Sequence, residues 1–316
     1  MKLLISLGCL LTIIYLEGCG DGMIKNKSTE QASVVTDTPK VKPKESVPNF
    51  TSNLIIHDDK DLIGYWVGMF KPDTLMDGVY TGEYTAWDFE NKINISIDEI
   101  NGDSVMGHSV VAGNNRPFKG KIIRDHSAFS FSVKEPGNDK YDGSFEFGIN
   151  KTDSVLKGTW KANNKIRITS RKYKLTKKLF HYNPNWQLLQ GKFVDWSKKK
   201  KVHFKNDEEG EDYDESFFTT SFNMNKYNAS TDVLTKEQVA NLKKADIFVI
   251  RNAIYARHGY SFKNQQLRAY FDRQSWYIPI STDVKSEFTE IEKKNIELLL
   301  RYEKNAKEYY DVFGRG

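Results

Sequence analysis

Cysteine is nearly absent: the 316 residues include two, Cys9 and Cys19, both within the first twenty positions. No disulfide can brace anything downstream, so the cysteines say nothing about redox compartment. Long apolar runs are equally scarce. The one that exists, Leu3 to Leu16, is too short and too early for a membrane span. The six histidines (His57, His108, His126, His181, His203 and His258) are scattered without the paired spacing of zinc ligands, and no metal is assigned. There is no nucleophile elbow, no Ser/His/Asp order and no phosphate loop, so no catalytic residue and no cofactor is assigned. Charge of one sign is also lacking. The 47 basic and 42 acidic residues give a net charge of +5, with clusters of opposite sign side by side, which argues against a nucleic-acid partner.

What is present begins with a basic start, Met1-Lys2, ahead of the apolar run, the pattern of a secretory signal. The run ends at Leu16-Glu17-Gly18-Cys19. These residues resemble the lipobox of bacterial lipoproteins, in which the cysteine is diacylated and becomes the first residue of the mature chain. Gly18 supplies the small residue needed at the cut, whereas Glu17 departs from the usual small or apolar choice. The resemblance implies a signal peptide over 1–18, palmitate-type lipidation of Cys19, and a membrane as partner through that anchor. An uncleaved anchor and a plain secreted protein are the alternatives. From 19 to 52 the chain is rich in Lys, Ser, Thr, Glu and Pro with no apolar period, and it reads as a disordered tether.

From 53 to 178 the texture changes to short alternating runs. They are Tyr65–Phe70, Ile93–Asp98, Ser104–Val111, Ala128–Val133, Gly143–Ile149, Val155–Trp160 and Lys165–Thr169, the last running on toward Leu175. Asn, Asp, Gly and Pro fill the connections, as tight turns require. The pattern predicts an antiparallel β barrel or sandwich, closure removing the exposed edges. Gly64-Tyr65-Trp66 weakly resembles the Gly-x-Trp of lipocalin-like barrels and suggests an aromatic plug at one end. Phe129, Phe131, Phe145, Phe147 and Trp160 would either line a ligand cavity or fill a solid core.

The stretch 179–229 reads as a linker with a basic block, Lys198–Lys201, and an acidic one, Asp207–Glu215. The acidic block lacks the EF-hand spacing and is expected to form a solvated loop or hairpin. From 230 to 311 helical patterns take over. Thr235-Lys236-Glu237-Gln238 and Thr289-Glu290-Ile291-Glu292 are capping boxes. Ile247, Ile250, Ile254 and Arg257 share one stripe, and Ile291, Ile296, Leu299 and Leu300 are expected to cover the shorter helices. Gly259 is placed to end the preceding helix in a left-handed conformation.

The run from Arg251 to Phe262, with Tyr255-Ala256-Arg257-His258-Gly259 at its centre, resembles the signature of the YARHG domain, a small presumed extracellular bacterial module. Leu267–Phe271 and Trp276-Tyr277 extend the resemblance. Its residues Arg251, Tyr255, Arg257, His258, Gly259 and Tyr260 allow two readings. In one they form a small polar ligand site. In the other Arg257 reaches Asp272, Glu290 or Glu292 and staples the helices, with His258 capping the turn.

The sequence thus predicts an α+β, multi-domain chain: signal, tether, antiparallel β barrel or sandwich, linker, and a small all-α domain. The expected role is non-catalytic binding or scaffolding by a membrane-anchored lipoprotein of the bacterial cell envelope, with an envelope protein or glycan as partner. An enzyme acting on envelope polymers or peptides, and a barrel carrying a lipid-like ligand, are the alternatives.

Overall fold

The computed structural model describes residues 56, 58–73, 90–152, 154–188, 191–206 and 210–306. Cys19, the signal over 1–18 and the tether over 19–52 lie outside the described residues.

Eight antiparallel strands follow one another and close on themselves. They are β1 (Gly64–Pro72), β2 (Asn91–Asn101), β3 (Ser104–Val111), β4 (Asn114–Arg124), β5 (Ala128–Lys134), β6 (Gly143–Asn150), β7 (Val155–Ala162) and β8 (Ser170–Lys178). Each pairs with the next, and β1 pairs with β8 to shut the barrel. Period-two alternation sends Ile93, Ile95 and Ile97, Phe129, Phe131 and Val133, and Phe145, Phe147 and Ile149 into one interior. Phe131 and Phe147 are cross-strand partners whose rings stack at 4.6 Å. The β3–β4 turn is Ala112-Gly113, both at positive φ (51° and 75°), the backbone that two-residue hairpins favour.

One end of the barrel is stoppered. Trp66 is fully buried there and its indole N–H donates to the Leu62 carbonyl at 2.9 Å. Arg124 straps this end by pairing with Asp59 and Asp103 at 2.7 and 2.8 Å. Two details depart from the sequence reading. Strand β4 carries so few apolar residues that only Phe118 and Ile122 are buried along it. The Lys165–Thr169 segment is not a strand, because the β7–β8 ladder ends at Lys161 opposite Ser170. Ile166 and Ile168 fold over the open end instead.

The second half holds a hairpin of β9 (Val194–Asn206) and β10 (Gly210–Thr219), then α1 (Lys236–Ala240), α2 (Lys244–Arg257), α3 (Gln265–Phe271) and α4 (Glu290–Asn305). In the hairpin Lys201, the last residue of the basic block, pairs with Glu215, the last of the acidic block, while Gly210–Asp214 run opposite Val202–Asn206. Both capping boxes form at Thr235 and Thr289. The core gathers Ile247, Ile250 and Ile254 of α2 with Phe271, Tyr277 and Leu299. Phe193, Met224 and Ala229 join it from the 179–229 stretch. The covering face of α4 differs from the expected one: Ile291 and Leu300 are exposed, and the buried row is Glu292, Asn295 and Leu299.

Barrel and helical region meet along a polar seam. The Lys92 amide donates to Asp272 at 2.8 Å, and its ammonium donates to the carbonyls of Gln274 and Tyr277 at 2.8 and 3.0 Å. Burial lowers that lysine to about 8 and raises Asp272 to about 6. The Gly113 amide donates to Ser261 Oγ at 2.9 Å, and Arg268 Nε to Asn91 Oδ1 at 3.0 Å.

Candidate functional site

The stretch Tyr255 to Tyr260 first builds the end of a helix. Tyr260 N–H returns to the Tyr255 carbonyl and Gly259 N–H to that of Ala256, both at 3.0 Å, with Gly259 at φ +75°. This is the Schellman arrangement, and it needs a residue tolerant of positive φ. A Cβ on Gly259 would lie 2.5 Å from Ile280 Cγ1 and 3.0 Å from the Ile278 carbonyl, so space and backbone both demand glycine. Tyr260 then docks the following segment: its carbonyl accepts from Tyr277 Oη at 2.7 Å, and Ser261 N–H donates to Ser281 at 2.8 Å.

The polar members turn inward. Arg257 is 4% exposed. It donates from Nε and Nη2 to the Trp186 carbonyl at 3.0 and 2.8 Å, and from Nη1 to Ser230 Oγ at 3.2 Å. This corrects the expected partner: Asp272, Glu290 and Glu292 form no ion pair with Arg257 among the described residues, and a backbone carbonyl takes their place. A carbonyl reached from two guanidinium nitrogens satisfies the fork without desolvating a second charge. Burial lowers the guanidinium to about 10, against the pull of Tyr182, Glu292 and Asp232.

His258 finds the carboxylate instead. Its Nε2 lies 2.8 Å from Oε2 of Glu292, which has no solvent exposure. Glu292 also accepts Tyr182 Oη at 2.9 Å and the Thr289 amide at 2.9 Å, so one side chain serves as capping-box partner and network hub. Burial opposes the Glu292 charge, yet these hydrogen bonds, that of His258 foremost, hold it below the ordinary carboxylate range. Tyr182 stacks on His258 at 4.2 Å, and its own hydroxyl is pushed up by burial and by Glu292. On the far side of α2, Arg251 grips Glu303 through a fork of 2.8 and 3.2 Å, and Tyr255 packs edge-on against Phe288 and Tyr260.

Residues 222–304 match the YARHG domain. The match takes in the whole motif and leaves the barrel outside it. No significant match was found among curated proteins or among solved structures. The YARHG domain is typical of extracellular and envelope proteins. No described helix is long and apolar enough to cross a membrane. Sequence reasoning missed two members of the YARHG cluster, Tyr182 and Ser230, whereas Pro184-Asn185-Trp186 reads from the sequence as a turn with a docking aromatic. Tyr182 and Trp186 lie upstream of the matched residues, and no local signal marks Tyr182 or Ser230.

A second candidate is the open end of the barrel, where a cavity of about 410 Å³ is formed. Phe145 and Trp160 line it, together with Phe70, whose ring lies 5.7 Å from that of Trp160. The remaining expected lining residues, Phe129, Phe131 and Phe147, sit deeper in the packed interior. Glu135 is buried in the wall, and both its oxygens are engaged. Ser109 Oγ donates at 2.9 Å, the Gly143 amide at 2.7 Å and Trp160 Nε1 at 3.5 Å. Burial nevertheless raises its pKa. Arg171 lies over the Phe70 ring at 5.0 Å and donates to the Phe70 carbonyl at 3.0 Å. Lys263 and Arg268 complete the rim from the YARHG region. Among the described residues, no group of three or more His, Cys, Asp or Glu is placed to hold a metal ion.

Proposed function

We propose that this chain is a lipid-anchored, non-catalytic binding or scaffolding protein of the bacterial cell envelope, with an envelope protein or glycan as partner. In this reading Cys19 carries the acyl chains, the tether spaces the folded part from the membrane, and the YARHG motif is a staple. The observation that carries the non-catalytic part is the enclosure of Arg257, His258 and Glu292. They are 4%, 6% and 0% exposed; His258 and Glu292 bond each other, and the remaining hydrogen bonds go to Tyr182, Ser230 and backbone. A general acid and base must reach a substrate proton within hydrogen-bond distance, and these groups reach only protein. The sequence Leu16-Glu17-Gly18-Cys19 supports the anchor, and the YARHG match supports an extracytoplasmic location.

The anchor is tested by fractionating cells that express the wild-type and Cys19→Ser chains after labelling with radioactive fatty acid. The substitution is expected to abolish label and to move the protein from membranes to the soluble envelope fraction. Label persisting on Cys19→Ser would overturn acylation at this residue.

A further inference from the structure

We infer that the open end of the barrel, with the cleft beside it, is one groove that binds an oligosaccharide of N-acetylated amino sugars. The inference rests on the binding reading above and names the partner's chemistry.

Three observations converge on it. The first is continuity. Asn114, Arg116 and Lys263 line the cavity of about 410 Å³ and also a second one of about 530 Å³, which reaches past the β3–β4 turn to Tyr260 and Thr282. Each alone has the volume of a small-molecule site. Joined through shared residues, the two suit a ligand of several linked rings rather than one compact molecule.

The second is the division of chemistry between them. A pyranose has apolar C–H faces and a rim of hydroxyls, each both donor and acceptor. The inner cavity supplies ring faces: Phe70, Phe145 and Trp160 line it together with Tyr141, which is 47% exposed. The Lys140 ammonium lies 4.6 Å from the centre of the Tyr141 ring, so a sugar takes the opposite face. The outer cleft supplies uncharged groups of the matching kind, since the exposed side chains of Asn115, Asn138 and Thr282 bond no described residue. An amide or hydroxyl there can both give and accept. The β5–β6 loop is also built in advance. Asp142 accepts the amides of Gly137 and Asp139 at 2.9 and 3.1 Å, and Arg116 bridges Asp139 and Asp142 at 3.2 and 3.1 Å. The Tyr141 amide donates to Asp139 at 2.8 Å, so little ordering remains for a ligand to impose.

The third observation selects the acetamido group. Two side-chain amides of the inner cavity are each half used, in opposite senses. Asn91 Oδ1 accepts from Arg268 Nε at 3.0 Å, and its Nδ2 has no partner among the described residues. Asn114 Nδ2 donates to the Ala112 and Val111 carbonyls at 3.1 and 3.5 Å, and its Oδ1 has none. Those partners fix which end of each amide is oxygen and which nitrogen. The cavity thus offers one donor and one acceptor, the complement of a secondary amide, and aromatic walls for that amide's methyl group.

The experiment uses the otherwise complete chain carrying Cys19→Ser and isothermal titration calorimetry. The probes are chitotetraose and cellotetraose, which share a backbone and differ in the acetamido groups. Saturable one-to-one binding of chitotetraose is expected, at least about tenfold tighter than cellotetraose, the worth of about one well-made hydrogen bond. Asn91→Asp keeps the acceptor for Arg268 and deletes the donor, so it should remove most of that preference and leave cellotetraose unchanged. Tyr141→Ala, at an exposed position where folding is not at stake, should weaken both sugars severalfold. Urea unfolding confirms that each variant is folded. Equal affinity for the two sugars, or a preference that survives Asn91→Asp, overturns the acetamido class while leaving a glycan-binding protein standing. Saturation by neither sugar overturns the groove as a glycan site and leaves the binding reading with a protein partner. Mass spectrometry of the recovered sugar reads the non-catalytic assignment separately: intact chitotetraose is expected, and shortened chains overturn that assignment while upholding the sugar class.

Discussion

Glu292 is the side chain on which the YARHG cluster most depends, and two substitutions separate its roles. Glu292→Ala removes the acceptor for Thr289 N–H, strands His258 Nε2 in a buried site and leaves the half-buried Tyr182 Oη without this partner. Each stranded polar group costs about 1–3 kcal/mol and the lost cap about 1 kcal/mol more. The expected loss is therefore about 3–7 kcal/mol, a large part of the roughly 5–15 kcal/mol typical of a folded domain. Glu292→Gln keeps shape and the capping acceptor but deletes the charge, so its cost should be about 1–2 kcal/mol at neutral pH. The pH dependence is the sharper readout. Because the carboxyl is held below its ordinary 4.5 in the folded state, its stabilisation is complete above 4.5. It is lost as pH falls from there through the lowered folded value. Wild type should therefore lose stability on acidification through this window more steeply than Glu292→Gln, and the two curves should converge at low pH. Urea unfolding followed by tryptophan fluorescence at several pH values between neutral and acid measures both effects. Parallel acid limbs for the two proteins, or a cost for Glu292→Ala under about 1 kcal/mol, would refute the assignment of Glu292 as a charged hub.

Arg257→Ala should destabilise by about 3–4 kcal/mol, since the Trp186 carbonyl and Ser230 hydroxyl lose their donors and the stem its packing. Arg257→Lys, unable to fork, should cost about 1–2 kcal/mol. Thermal melts of the two variants decide it, and an alanine variant melting with wild type would return the motif to the ligand reading. Gly113→Ala should cost about 1–3 kcal/mol of backbone strain, plus a clash, because its Cβ would fall 2.8 Å from Lys263 N across the seam. Gly102→Ala, also at positive φ but with nothing within 4 Å, is the control for strain alone, and equal urea midpoints would mean that the seam gives way freely.

Much of this architecture is legible from local pattern. Strict alternation marks β2, β5 and β6, and the Thr235 and Thr289 boxes mark the starts of α1 and α4. Gly259 announces the stop of α2. What escapes is whatever depends on a distant partner. Strand β4 buries only Phe118 and Ile122 and is held in the barrel by its pairing with β3 and β5, which a local apolar pattern does not show. The apolar face of α4 misleads because two of its three buried residues, Glu292 and Asn295, are polar and bonded across the core. The acceptor of Arg257 is a carbonyl 71 residues upstream, and carbonyls carry no sequence signature. The lining of the cavity escapes as well, since Arg171 and Arg268 are brought to it from distant stretches of the chain.

The closure of the barrel also has a mechanical side. The chain enters β1 at Gly64 and leaves β8 at Lys178, and Tyr65 and Lys178 are direct cross-strand partners. Partners of that kind have Cα atoms only about 4.5–5.5 Å apart. A pull transmitted along the polypeptide therefore acts on adjacent ends of one ladder and opens it bond by bond, like a zipper, rather than shearing all its bonds at once. The same adjacency makes residues 64–178 a cassette: a short bridge could replace the barrel without moving the two points of the chain that it now joins.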